Sequence, residues 1–215
     1  MKFTFNLNKK EFSMKKAKML SLTASLVLAI TFTFSCSSGD GGGNKPPEII
    51  YGPTVGHGGE TYQTVVIGTQ TWFARNSNYD VNGSKCYNNE PSNCTIYGRL
   101  YNWEGVFMAC PSGWHSPTNA EWETLINYVG GWSNAGKKLK ARSGWSNNGN
   151  GTDDYGFSAL PGGYGDSDGY FEDVGLAGYW WNGFTQYQGI YYDAAGAYSS
   201  TRDVDYFYSV RCLQD

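Results

Sequence analysis

Two histidines, His57 and His115, and five cysteines are the residues of this 215-residue chain whose types could do chemistry. A Ser-His-Asp triad would have to use His115, since His57 lies in a Gly-rich stretch, and no Gly-x-Ser-x-Gly elbow accompanies it. His115 reads instead as a hydrogen-bonded turn residue within Cys110-Pro-Ser-Gly-Trp-His115. Carboxylates occur in pairs (Asp153-Asp154, Asp166 with Asp168, Glu172-Asp173), the residue type glycoside hydrolysis requires. They fall in Gly-rich stretches where solvated charge is the ordinary state, so no catalytic constellation is expected and the chain is read as a non-enzyme. The oxygen-rich turn Asn147-Asn-Gly-Asn-Gly-Thr-Asp-Asp154 offers Asn147, Asn150, Asp153 and Asp154 as a candidate calcium set. Asp166-Ser-Asp-Gly169 begins like a calcium loop but lacks the downstream ligands at EF-hand spacing. Apart from Cys36, the cysteines are spaced by 8, 16 and 102 residues with no Cys-x2-Cys, a pattern unlike zinc sites.

The stronger signal is for recognition. Residues 155–208 hold ten of the 17 tyrosines, plus Trp180 and Trp181, interleaved with Gly, Ser, Asn and Asp. That mixture is paratope-like, rigid amphipathic rings among small adaptable polar residues, and it also suits carbohydrate. Asn182, Tyr191, Tyr192, Tyr198 and Tyr206 are the candidate ligand contacts, on the surface, whereas Trp180 is expected in the core. The competing reading is that the rings fill a core short of aliphatic residues.

Charge is distributed unevenly. Residues 1–36 carry six Lys and one Glu, residues 37–142 are balanced, and residues 143–215 carry only Arg202 and Arg211 against ten acidic residues. Clustered Lys/Arg of the kind that neutralises phosphates is absent, which argues against nucleic acid. The early lysines precede an apolar run from Met19 to Phe34, shorter than the roughly 20 residues a membrane span needs and suited to a secretory signal. Translation from Met14 would give such a signal as well as translation from Met1. The run ends at Ser35-Cys36, which resembles a bacterial lipobox and makes Cys36 the expected lipidation site, although Thr33 and Phe34 depart from the usual pattern. Cysteine parity agrees: with Cys36 lipidated, the other four pair off. A diacylated cysteine would anchor the chain to a membrane. Residues 37–58, rich in Gly and Pro, are expected to be a flexible tether, with the folded domain running from 59 to 215.

Within that domain, Thr61–Ile67, a Gly68-Thr69-Gln70 turn and Thr71–Ala74 predict a β-hairpin. Tyr97, Leu100, Tyr101, Trp103, Val106 and Phe107 repeat at helix-like spacing and predict a short amphipathic helix. Thr118 and Glu121 form a capping box for a helix with Trp122, Leu125, Ile126 and Val129 on one face, ended by Gly130-Gly131. After Trp145 strands and loops are expected, and Tyr206–Leu213 alternates so that Tyr208, Val210 and Cys212 share a face. Three disulfide pairings are possible; Cys86–Cys94, closing a turn-rich loop, and Cys110–Cys212, tying the helical region to the last strand, are favoured.

Several ordered motifs carry a family resemblance: Gly68-Thr-Gln-Thr-Trp72, Tyr97-Gly-Arg-Leu-Tyr-Asn-Trp103, Cys110-Pro-Ser-Gly-Trp-His115, Glu121-Trp122, Gly136-Lys-Lys-Leu-Lys140, Asp153-Asp-Tyr-Gly-Phe-Ser-Ala-Leu-Pro-Gly-Gly-Tyr164, Gly178-Tyr-Trp-Trp181 and Ser209-Val-Arg-Cys212. Over about residues 59–215 the chain resembles the Fibrobacter succinogenes major paralogous domain. More distantly, Pro117-Thr-x-x-Glu-Trp122 and the terminal Val-Arg-Cys are similar to the formylglycine-generating-enzyme branch of the C-type-lectin-like folds. The resemblance implies a compact, loop-rich α+β domain with short helices, small antiparallel sheets and adjacent chain ends, in which Cys110–Cys212 staples the helical region to the last strand. Family members are typically exported and often lipoproteins, without a settled activity. The chain departs from the family pattern at Ser116, where Leu is usual, at Trp181-Asn-Gly-Phe-Thr185, where Trp-Ser-Ala-Thr-Glu is usual, and at Gly165, where Arg is common. Lectin-like domains are sometimes diversified at their C-terminal ends by adenine-directed mutagenesis, and Asn182–Tyr208 has that composition. The expectation is therefore an envelope lipoprotein, at the outer membrane and facing the periplasm or the exterior, that reads an extracellular glycan or protein. The alternative is a structural envelope lipoprotein without a specific ligand.

Overall fold

A computed structural model describes residues 45–183, 185–202 and 204–215. The expected signal segment 1–36, with the expected lipidation site Cys36, and the first part of the expected tether lie outside the described residues. Among the described residues no helix is long and apolar enough to cross a membrane.

The domain is α+β, with two sheets and three short α-helices among the described residues. Strands β1 (Ile50–His57), β2 (Glu60–Ile67) and β3 (Gln70–Phe73) open it as an antiparallel meander. The β2–β3 hairpin is the one the alternation predicts, pairing Thr64 with Phe73 and Ile67 with Gln70 across Gly68. Strand β1 corrects the expected tether 37–58: its second half is paired strand, from Ile50 opposite Val66 to His57 opposite Glu60. The strand is mostly exposed and its register shifts between Gly52 and Val55, around Pro53. An edge strand of this kind carries no apolar alternation to announce it.

A second correction concerns residues 97–107, where helical spacing predicts one helix. Helix α1 (Pro91–Tyr97) stops there, strand β4 (Leu100–Tyr101) follows, and a 3-10 turn occupies Gly105–Met108. Gly98 adopts φ 78°, and a Cβ there would sit 2.7 Å from the Ser77 carbonyl oxygen. The backbone of β4 is then claimed by sheet pairing, Tyr101 opposite Tyr208, so tertiary hydrogen bonds override a short apolar periodicity. Strand β5 (Trp114–His115) precedes α2 (Asn119–Tyr128), whose capping box is formed: Thr118 Oγ1 accepts from Glu121 N and Glu121 Oε2 accepts from Thr118 N. Trp122, Leu125 and Ile126 of α2, with Val129 just beyond it, enter the first core beside Val65, Ile67, Trp72, Phe157 and Trp180. Helix α3 (Trp132–Leu139), which no sequence reading anticipates, adds Ala135 and Leu139 to the same core.

The last third supplies β6 (Gly162–Asp166), β7 (Phe171–Val174), β8 (Ala177–Trp181), β9 (Gln186–Tyr191), β10 (Tyr198–Thr201), β11 (Tyr206–Ser209) and β12 (Leu213–Gln214). The second sheet runs β10-β9-β8-β11-β6-β7, with β4 on β11; the first runs β1-β2-β3-β12-β5. Strand β8 is buried along its whole length and lies between two cores: Trp180 points into the first, Tyr179 and Trp181 into the second. This period-two division is what a strand covered on both faces requires. The final segment links the sheets. Tyr208, Val210 and Cys212 join the second core together, as their alternation predicts, while Val210 and Cys212 accept backbone hydrogen bonds from Ser77 and Phe73. Strand β12 then enters the first sheet beside β3, so the end of the domain meets its beginning. Both favoured disulfides are formed, Cys86–Cys94 and Cys110–Cys212. In the chain-entropy account a loop of about 100 residues gains roughly 4.7 kcal/mol from such closure.

Arg211 lies in this linking segment and is fully buried. Its Nε and Nη2 donate to Asn76 Oδ1 (3.0 and 2.8 Å), Nη1 donates to the Phe73 and Phe157 carbonyls, and the guanidinium sits 4.3 Å from the Phe157 ring centroid. Burial pulls its pKa down to about 9, which leaves it charged at neutral pH. Asn76 Oδ1 also accepts from Trp180 Nε1 at 2.8 Å, so one amide oxygen serves three donors. The chain end is clasped separately: His115 Nδ1 lies 2.7 Å from Asp215 Oδ1, and Nε2 lies 3.0 Å from Glu121 Oε1. Burial alone would lower the imidazole pKa, but hydrogen bonds and charge from Asp215 and Glu121 outweigh it and raise it above 6.5. Burial likewise works to raise Glu121, yet its bonds with Thr118 and His115 hold it below 4.5.

Asn76→Ala is expected to destabilise the domain by about 3–5 kcal/mol, the effect of removing one partner from a buried charge, and urea unfolding under oxidising conditions measures it. The clasp predicts a pH optimum. The His115 contribution is complete below pH 6.5 and is lost as pH rises through its raised folded value; that of Glu121 is complete above 4.5 and is lost as pH falls through its depressed one. Melting temperature should therefore peak between these limits, and His115→Ala should flatten the alkaline side of the profile.

Candidate functional site: a tyrosine face on the second sheet

The pleat of the second sheet sends Tyr179 and Trp181 of β8, Tyr187 and Tyr191 of β9, Tyr206 and Tyr208 of β11 and Tyr164 of β6 to one side. Tyr198 of β10 joins them by lying over β9 at Gly189, where a Cβ would stand 2.2 Å from its ring. The result is a continuous aromatic layer. Tyr179 meets Tyr187 edge-on at 5.5 Å and Tyr208 at 5.7 Å, and Trp181 meets Tyr208 at 4.9 Å. Tyr191 and Tyr198 stack at 5.4 Å with ring planes 8° apart, and Tyr206 and Tyr208 stack at 6.0 Å and 10°.

Depth divides the layer. Tyr179, Tyr187 and Tyr208 are buried, Tyr164, Tyr198 and Tyr206 are half-buried, and Tyr191 is 39% exposed. Polar groups pin the hydroxyls: Tyr179 donates to Asp173 Oδ2 and Tyr164 to Glu172 Oε2, each at 2.6 Å, and the Tyr191 hydroxyl lies 3.3 Å from that of Tyr179. The Arg202 guanidinium sits 5.2 Å from the Tyr206 ring centroid. Burial first, then carboxylates and neighbouring phenols, push Tyr164 and Tyr179 well above the ordinary phenol pKa; burial and neighbouring phenols do so for Tyr208, and burial with the hydroxyls of Tyr191 and Tyr187 for Tyr198. Tyr164, Tyr179, Tyr198 and Tyr208 are therefore neutral hydrogen-bonding groups at neutral pH. From the other side, Lys140 Nζ donates to the carbonyls of Tyr191, Tyr192 and Ala194, which ties the end of β9 to the end of α3.

Of the candidate ligand contacts, Tyr191, Tyr198 and Tyr206 are brought together on this face. Tyr192 is not: it packs against the first core. Asn182 is a correction, since it is completely buried and its amide donates to Asn119 Oδ1 and Ser199 Oγ. Asn follows the buried β8 directly and is held inside by these polar partners, so composition misplaces it on the surface. Trp180 is in the core as expected. Sequence reading missed Tyr164, Tyr179, Asp173 and Arg202 as parts of the face; the alternation of Tyr179 with Trp181 and of Tyr206 with Tyr208 is the signal that could have found two strands of it.

Two members of the candidate calcium set make local hydrogen bonds: Asn150 Oδ1 accepts from Trp145 N, and the Asp153 carboxylate accepts from Ser158 N and Oγ. Asn147 holds a left-handed turn position at φ 53°. Asp166-Ser-Asp-Gly169 is the β6–β7 hairpin turn, closed by Tyr170 N donating to Asp166 Oδ1. His57 belongs to β1 rather than to a tether, with its ring 4.1 Å from that of Tyr79.

No curated protein and no solved structure matches the chain. The family model of the Fibrobacter succinogenes major domain matches residues 65–214, from β2 through β12. Two formed disulfides and this membership are those of an extracellular or envelope protein. The matched span opens inside β2 at Val65 and takes in every later strand and helix, and the chain belongs to the Fibrobacter succinogenes major domain family.

Proposed function

We propose that the chain is a non-catalytic recognition domain, held at the cell envelope by lipid on Cys36, whose ligand is an extracellular glycan or protein surface bound at the tyrosine face. The observation that carries this reading is the parallel Tyr191–Tyr198 pair at the rim of the layer. Its rings are fixed by packing and its hydroxyls by hydrogen bonds, so contact area is offered with little conformational entropy left to lose on binding. Tyr206 with Arg202 adds the residue types that dominate binding hot spots. A non-catalytic role is supported by the neutral phenols and by His115, both of whose ring nitrogens are committed to carboxylates. The C-type-lectin-like relationship is part of the proposal; the first and last described strands lying in one sheet support it. The structural-lipoprotein reading draws on burial of Tyr179, Tyr187, Tyr208, Trp180 and Trp181, which are core rings.

The test is binding of the full chain to a glycan array and to envelope fractions treated with either periodate or protease. Tyr191→Ala with Tyr198→Ala is expected to weaken capture at least tenfold, equivalent to about 1.4 kcal/mol. Periodate-sensitive capture identifies a glycan and protease-sensitive capture a protein. No capture by any arm, or capture unchanged in the double variant, would sink the assignment.

A further inference from the structure

The second sheet ends on β10, and among the described residues nothing pairs with the outer edge of that strand. The other sheet edges carry features that keep edges from pairing. Strand β1 has Pro53 and a register shift, β5 is two residues long, and β7 carries Glu172 and Asp173. Strand β10 has none of these. It holds no proline and no charge, and its register with β9 runs unbroken from Tyr198 opposite Gly189 to Thr201 opposite Gln186. Ser199, Ser200 and Thr201 are exposed. Hydrogen bonds fix which backbone groups lie open. Arg202 N donates to the Thr185 carbonyl in that same register, so Arg202, Ser200 and Tyr198 turn their backbone groups toward β9. The N–H and C=O groups of Ser199 and Thr201, between them, point outward and have no partner among the described residues. Ala197 N also points outward but donates to the Trp132 carbonyl at 2.9 Å, so the open edge begins at Ser199.

Side chains alternate along the same strand. Tyr198, Ser200 and Arg202 lie on the tyrosine face, where Tyr198 stacks on Tyr191 and Arg202 approaches Tyr206. Ser199, on the other side, accepts from Asn182 Nδ2. An open edge selects an extended backbone, and this edge is complementary to itself. In antiparallel self-pairing, one register sets open residues against open residues: Ser199 opposite the partner's Thr201, and Thr201 opposite the partner's Ser199. Ser200 then meets the partner's Ser200 on the twofold axis, and Arg202 meets the partner's Tyr198. No like charges are opposed, and each guanidinium gains a second ring to stack on. A shift of register toward Ala197 would run into the Trp132 carbonyl that already holds that N–H. We propose that β10 is a dimerisation edge, paired antiparallel with β10 of a second copy so that two sheets become one. Residues directly opposed across such a pair project to the same side, so the two tyrosine faces join into one surface about an isologous contact. The proposal goes beyond the recognition reading and does not depend on what the face binds.

Disulfide trapping on the full chain tests both the contact and its register. Opposed residues of a non-hydrogen-bonded pair have Cα atoms about 4.5 Å apart, within disulfide range. Ser200→Cys is therefore expected to give a disulfide-linked dimer on non-reducing gels. The yield should be roughly tenfold above that of Ser199→Cys or Thr201→Cys, which have no counterpart directly opposite. Thr201→Pro removes an outward N–H without touching a bond to β9, and combined with Ser200→Cys it should abolish linkage. Ser199→Pro, at the other open N–H, is the second variant, and a melting temperature near that of the parent separates a blocked edge from a lost fold. Equal linkage at all three cysteine positions, linkage of Ser200→Cys to a different protein, no linkage, or linkage that survives a folded proline variant would overturn the assignment.

Discussion

The buried guanidinium of Arg211 is the constraint on which the rest of the domain depends. A fully buried charge is tolerated only when its donors are satisfied, and here the acceptors come from parts of the chain far apart in sequence: Asn76 after β3, Phe73 at its end, and Phe157 in the loop before β6. Asn76 extends the network through Trp180 Nε1 to the central strand and through its own amide, donating to the Tyr97 carbonyl, to the end of α1. No pair of these segments can shift independently without leaving a polar group unpaired in a low-dielectric interior. The acceptors at hydrogen-bond distance are backbone carbonyls and one amide oxygen, and the Asp153 carboxylate favours the charge from farther away.

Around that point the two cores are organised by shared strands. Strand β8 faces both, and the segment from Tyr208 to Leu213 passes from the second core to the first sheet, with Cys212 bonded to Cys110 on the way. The tyrosine face inherits its rigidity from this arrangement. Tyr179, Tyr187 and Tyr208 are core residues, and Tyr191, Tyr198 and Tyr206 stand on them. The layer is thus both structure and surface, and the two readings of its composition describe different depths of one stack. The disulfide and the Arg211 network fix the strands; Asp173, Glu172 and Lys140 fix the rings and backbone at the rim.

How legible this was depended on the range of the interactions. The β2–β3 hairpin and the Thr118–Glu121 capping box are local, made of residues a few positions apart, and the sequence pattern carries them directly. The cysteines were legible because few chemically sensible pairings exist. By contrast, Tyr97–Phe107 has the spacing of a helix but surrenders two residues to β11, a hundred positions away. Strand β1 is exposed and irregular, so its pairing with β2 leaves no trace in apolar pattern. Helix α3 was hidden by its composition, with Gly136 placed where the Gly196 carbonyl approaches too closely for any side chain.

The sequence by itself determined the aromatic and acidic character of the last third and the caps and turns, favoured one of three disulfide pairings, and carried the ordered motifs of the family resemblance. The character, caps and turns follow from residue type and short-range spacing. Only the tertiary structure decided which tyrosines are surface, that Asn182 is inside, and that Tyr192 turns away from Tyr191. The physical reason is that burial is a property of a sheet's neighbours. A strand's alternation says which residues share a side, but what covers that side is set by strands and loops distant in the chain.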